Sequence, residues 1–162
     1  MLAEFIGRAR YEDLPMIERT RVKMRVSNAL GSIFAAYGNG ATQLVLELGR
    51  RNAAAGPSSL WLSGEKASVE DCAFANSALV QIPLLDDMSI HIGDVVIPAA
   101  FAVGEAEGRS GADIFNAIAL GYELVLRLDS GQPSGESLGH GSSDRGFRHS
   151  WFACYGAAAA AV

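Results

Sequence analysis

The sequence predicts an all-α protein, a helical bundle with at most one short strand. Three observations predict it. Apolar residues recur at three- and four-residue steps along most of the 162 residues. Capping residues and Gly or Pro stops divide those runs into helical lengths. Brief alternation between turn residues occurs at Ser59 to Leu62, which predicts either one short strand or an extended connector.

Taken in order, Leu2 to Ala9 forms a short amphipathic helix. Tyr11-Glu-Asp-Leu-Pro15 interrupts it. Pro15 suits the first turn of the next helix, and Asp13 is placed to cap it. That helix runs to Tyr37, with Val22, Val26, Ala29, Leu30, Ile33, Phe34 and Tyr37 as its core stripe, and Gly38-Asn-Gly40 ends it. Thr42 to Ala55 is a third helix, with Leu44, Val45, Leu48 and Ala55 facing inward and Gly56-Pro57 as its stop. Ser68 opens a fourth, with Asp71 three residues on as in a capping box. Cys72, Ala75, Leu79 and Ile82 share its apolar face, and Pro83 ends it. Gly93-Asp94 restarts a helix in which Pro98 marks either a kink or the true start. Ser110 caps a helix over Gly111 to Leu128, in which Tyr122 is core and Glu123 pairs with Arg127 four residues on. Residues 129–146 are Gly/Ser-rich and predict a flexible loop. Phe147 begins a last helix whose run of small residues suits close packing.

Composition narrows the function. The chain is 49% hydrophobic and 19% charged with a net charge of −5, a balance that suits a well-buried globular domain. The dispersed Lys and Arg argue against nucleic acid or an anionic membrane as partner. Cys72 and Cys154 lack metal or redox spacing and predict two buried thiols in a reducing compartment. The N-terminus lacks the pattern of a secretory signal, and no apolar run reaches bilayer length. The expected setting is therefore soluble and cytoplasmic, with no metal.

Between the fourth and fifth helices lies a polar elbow that brings Asp86, Asp87 and His91 within six residues, between apolar runs. Charged and titratable groups walled by apolar helices are costly to desolvate, and functional sites collect such groups. The alternative is a solvated loop with a capping Asp. His91 is the leading candidate for proton transfer, against a helix-capping or surface imidazole. Asp86 and Asp87 are adjacent, so one could orient a histidine while the other caps the next helix. Arg148 and His149 could bind an anion together, against a histidine at a solvated helix start. The elbow is expected to line a cavity.

The chain resembles the N-terminal part of the MmgE/PrpD family, which includes 2-methylcitrate dehydratase, cis-aconitate decarboxylase and iminodisuccinate epimerase. The resemblance covers nearly the whole sequence. It is carried by Tyr11-Glu-Asp-Leu-Pro15, Ala73-Phe-Ala-Asn76, Asp86-Asp87, the run HIGDVVIPAA from His91 to Ala100, Ser110-Gly111, Gly121-Tyr-Glu123 with Arg127, and Gly156 with its alanines. It implies a helical domain that packs against a smaller α/β domain, usually in a homodimer. It also implies cofactor-independent chemistry on small polycarboxylates through proton removal next to a carboxylate. Such chemistry needs a general base or acid at the carbon and cations for the carboxylates.

His91 falls on the family's first histidine, with Ile92 in place of the usual proline. Asp86 and Asp87 fall on its paired aspartates. The leading Asp of that run is Leu84 here, the polar residue after the pair is Met88, and the upstream histidine is Gln81. In Gly146-Phe-Arg-His149, either Arg148 or His149 holds the second histidine's place. The chain is well under half the family's usual length and lacks its later lysines and tyrosine. These departures leave three readings. One is a split lyase-like chain, a homo-oligomer or a hetero-oligomer completed by a second polypeptide. Another is a redirected cyclase or isomerase, with a pocket made less polar by Gln81, Leu84 and Met88. The third is a non-catalytic assembly subunit. Residues 1–162 are expected to be a single, incomplete helical domain.

Overall fold

The computed structural model describes residues 2–51, 56–85, 91–130 and 154–161. Helix α1 spans Leu2–Arg8, and a 3-10 turn follows at Tyr11–Asp13. Helices α2 (Met16–Ala36) and α3 (Gly40–Arg51) come next, then strands β1 (Ser58–Ser59) and β2 (Lys66–Ala67). Helices α4 (Val69–Gln81), α5 (Gly93–Ala106) and α6 (Gly111–Ser130) complete the order, and residues 154–160 are helical again. The fold is all-α, as expected. Of the alternating stretch Ser59 to Leu62 only Ser59 lies in a strand: Ser58 opposite Ala67 and Ser59 opposite Lys66 form a two-stranded antiparallel ladder, and Trp61 and Leu62 lie in the turn that joins them. No described helix is long and apolar enough to cross a membrane.

The α4–α5 pair forms the centre, with α2, α3 and α6 laid against it. Leu79, Ile92, Val96, Ile97, Ile118 and Tyr122 are essentially closed to solvent there. Gly121 of α6 and Gly156 of the last helical segment make close approach possible. A Cβ on Gly121 would meet the Gly156 carbonyl oxygen at 2.7 Å, and one on Gly156 would meet Val125 Cγ2 at 2.5 Å. The small-residue end of the chain therefore packs closely, as its composition predicted.

Several local expectations are corrected. Asp13 does not cap α2; its carboxylate accepts the Arg10 backbone N–H at 3.2 Å inside the 3-10 turn. The caps at Ser68 and Ser110 do form, each hydroxyl accepting the backbone N–H three residues on, at 3.1 and 3.2 Å. Pro98 neither starts nor stops α5, which is continuous from Gly93. Asp129 and Ser130, expected in the loop, still belong to α6, and the rest of that loop lies outside the described residues. Cys72 is buried as expected, and burial pushes its thiol pKa up, but Cys154 is exposed.

The inward faces of α2 and α3 are narrower than the apolar pattern predicts. On α3 the buried positions are Thr42, Leu46 and Gly49, while Leu44 and Leu48 face out. On α2 Val22, Val26, Ala29, Ser32 and Ile33 are buried, whereas Phe34 and Tyr37 are 72% and 78% exposed. Both helices carry a second apolar stripe that the described residues leave open.

Candidate functional site at the elbow

The core fixes both ends of the elbow. On the entry side the Ile82 N–H bonds back to Ala78 and the Leu84 N–H to Gln81, each at 3.0 Å, so the chain leaves α4 as a tight turn. Leu84 then adopts φ +52°, a left-handed conformation in which a Cβ-bearing side chain is strained. On the exit side His91 takes φ +47°. The carbonyl of Ile92 accepts the Val95 and Val96 N–H groups to open α5, and Ile92 itself is fully buried. Two left-handed residues thus bracket the segment that contains Asp86 and Asp87 in sequence. Strained residues of this kind persist only where their surroundings hold them, and they gather at functional sites.

His91 is half-buried and its Nδ1 is closed off from solvent. Asp94 lies three residues on, in the first turn of α5, 8% exposed and with Oδ1 closed off as well. The positive end of a helix dipole favours a carboxylate there. Gln81, at the last position of α4, has a buried Oε1 that no donor among the described residues reaches. The Leu84 side chain is 68% exposed.

The structure therefore brings Gln81, Leu84 and His91 to the two ends of one bend. Asp86, Asp87 and Met88 fall between them in sequence and lie outside the described residues, as do Arg148 and His149. Two cavities occur elsewhere. One of about 620 Å³ lies among α1, the 3-10 turn, α5 and α6, beside Arg10, Arg109 and Asn116. Another of about 320 Å³ lies between α2 and α6, where the Arg25 guanidinium sits 4.0 Å from the Tyr122 ring centroid. Neither is lined by Gln81, Leu84 or His91, so the hollow expected beside His91 is not one of these two. Among the described residues no group of three or more His, Cys, Asp or Glu could hold a metal ion.

Sequence reasoning missed three residues that shape the elbow. Asn28 of α2 donates its side-chain amide to the Leu85 carbonyl at 2.9 Å. The Ser32 hydroxyl reaches the same oxygen at 3.4 Å and the Asn28 carbonyl at 3.1 Å. Asp94 is the third. The signal for Ser32 was present: a hydroxyl amid Val22, Val26, Ala29 and Ile33 needs a polar partner. Asn76, one of the motif residues, proves structural. It is buried in α4, accepts the Trp61 N–H at 2.8 Å and donates to the Ser59 carbonyl at 3.0 Å.

The fold and the elbow define an α-helical domain built around one polar bend. The family model for the MmgE/PrpD N-terminal domain matches residues 1–162, and the chain belongs to the MmgE/PrpD family. No curated protein and no solved structure matches it.

Proposed function

We propose that the chain supplies the elbow of a lyase or isomerase site that removes a proton next to a carboxylate of a small metabolite. His91 is the proton-transfer residue. It takes the C–H proton, and the electron pair left on carbon either forms a C=C bond as a neighbouring hydroxyl leaves as water, taking that proton from the imidazolium, or takes up a proton from solvent on the opposite face. The observation that carries this reading is His91 itself. In a chain of this family, it is an imidazole held left-handed at the mouth of a buried helix, with one ring nitrogen shielded from water. Asp86 and Asp87 orient the imidazole or the substrate. Arg148 and His149 bind the carboxylate.

The open apolar stripes support dependence on a further polypeptide segment, a second copy or a partner chain. Leu30, Phe34 and Tyr37 on α2 and Leu44 and Leu48 on α3 are exposed, and large exposed apolar surface marks interaction faces. In water the chain should self-associate. A strictly monomeric species by light scattering would remove this part of the reading.

One observation favours the redirected enzyme as a second reading. Gln81 offers a neutral, buried acceptor with no donor among the described residues, beside the apolar Leu84. A substrate hydroxyl or amide satisfies such an acceptor, and a carboxylate does not. Met88, four positions on from Leu84 in the sequence, is an apolar residue of the same kind.

Solvent-deuterium incorporation into hydroxylated and unsaturated di- and tricarboxylates tests the chemistry whatever the product is. His91→Ala should abolish incorporation and leave the melting midpoint in place. Exchange as fast as in the parent chain would retire His91 as the base. Tight calorimetric binding of citrate-like anions would count against the redirected reading.

A further inference from the structure

We infer that Asn28 is a positioning residue: its side-chain amide, reaching across from α2, fixes the chain at Leu84 and Leu85, where it enters the elbow that leads to His91. Leu84 sits left-handed at φ +52°, and a leucine holds that conformation only under constraint. The next carbonyl along the chain, that of Leu85, is where the constraint acts. Asn28 Nδ2 donates to it at 2.9 Å, and Ser32 Oγ approaches it at 3.4 Å. The two side chains lie one helical turn apart on α2 and converge on one oxygen. Asn28 is otherwise an exposed position in mid-helix. Asparagine is a poor helix former there and alanine a good one, so helix stability alone does not account for the residue. Its amide secures the elbow at one end, as the buried Ile92 does at the other.

Any effect on turnover rests on the proton-transfer reading of His91; the effect on elbow geometry does not. The test uses the full chain and two readouts that need no substrate: amide exchange of peptides covering residues 84–92, and the His91 ring resonance. Asn28→Ala should speed exchange in those peptides about fivefold, the loss of roughly one hydrogen bond, and displace the ring signal. The melting midpoint should stay level or rise. Asn28→Asp, equal in size but without the N–H donors, should behave like alanine. In a Leu84→Gly background, where glycine takes positive φ freely, Asn28→Ala should change exchange less than twofold.

Unchanged exchange and ring signal in both Asn28 variants would overturn the inference. So would acceleration spread evenly over the chain, or an undiminished effect beside Gly at position 84. An inactive His91→Ala together with unshifted Asn28 variants removes the positioning role and leaves the proton-transfer reading standing. Shifted Asn28 variants with a fully active His91→Ala do the reverse.

Discussion

The two ends of the α4–α5 pair solve the same problem in opposite ways. At one end the chain enters α4 and leaves α5, and the β1–β2 hairpin covers the junction. At the other end the elbow joins the two helices. Both ends contain a left-handed leucine, Leu62 at φ +69° in the hairpin and Leu84 at φ +52° in the elbow. Around Leu62 the polar groups are matched in detail. The Ser58 hydroxyl donates to the Ala102 carbonyl at 2.6 Å. The Glu105 carboxylate accepts the Ser59 N–H and hydroxyl at 2.7 and 2.6 Å and pairs with Lys66. Asn76 binds the backbone on both sides of Leu60. Around Leu84 two side chains of α2 hold one carbonyl, and Gln81 keeps a buried acceptor with no donor among the described residues. Saturated polar contacts make the hairpin end a fixed base. Among the described residues, the elbow end leaves hydrogen-bonding capacity unused.

Removing a hairpin contact should therefore cost far more stability than changing the elbow. Asn76→Ala is expected to have the largest effect. It strands a part-buried N–H and a part-buried carbonyl together, at about 3 kcal/mol, and for a domain of this size that lowers the melting midpoint by roughly 6–12 °C. Ser58→Ala should cost about 1 kcal/mol, since the Ala102 carbonyl keeps its helical partner. Calorimetric melts of both variants check the order. A midpoint for Asn76→Ala within about 2 °C of the parent, well below the ~6 °C expected, would break the contrast between the two ends.

The sequence disclosed the helical stops, the two serine caps and the elbow, because each rests on local chemistry: a proline, a hydroxyl three residues before an N–H, charge between apolar runs. It was silent on what holds the elbow. Asn28 and Leu85 are 57 positions apart, and nothing local marks an exposed asparagine as reaching across to another helix. It also misdirected the apolar stripes of α2 and α3. Phe34, Tyr37, Leu44 and Leu48 have the period of a core face yet stand in solvent, because periodicity reports that a face will be covered and not which segment covers it. Asn76 was visible as part of a motif, but its hydrogen bonds make it a hairpin anchor.

Acid sharpens the comparison next. At Glu105, burial alone would raise the carboxyl pKa, but the bonds from Lys66 and Ser59 outweigh it and hold the group below the ordinary glutamate value. A depressed folded-state pKa gives stability that is fully present above the unfolded value near pH 4.3. That stability fades as the pH falls through the folded value. The pair is partly exposed, which screens its strength, so a shallow acid-side decline is expected rather than a sharp one. Glu105→Gln should flatten the fall of the melting midpoint below about pH 4.3 and leave the plateau at higher pH parallel to the parent. An acid limb as steep as the parent's would move the origin of that decline away from the hairpin.

The smallest effect comes from making one substitution at both left-handed leucines. Glycine relieves about 1 kcal/mol of backbone strain and returns roughly 0.5–1 kcal/mol through its greater freedom in the unfolded chain. The backbone terms thus nearly cancel, and side-chain burial decides the outcome. Leu62 packs against the main core, so Leu62→Gly should lose about 1–2 kcal/mol. Leu84 is 68% exposed and has little burial to lose, so Leu84→Gly should stay within about 0.5 kcal/mol of the parent. The elbow would then tolerate a freer hinge that the hairpin does not. Equal losses at the two positions would mean that the Leu84 side chain is covered in solution, and that the elbow is as closely packed as the hairpin end.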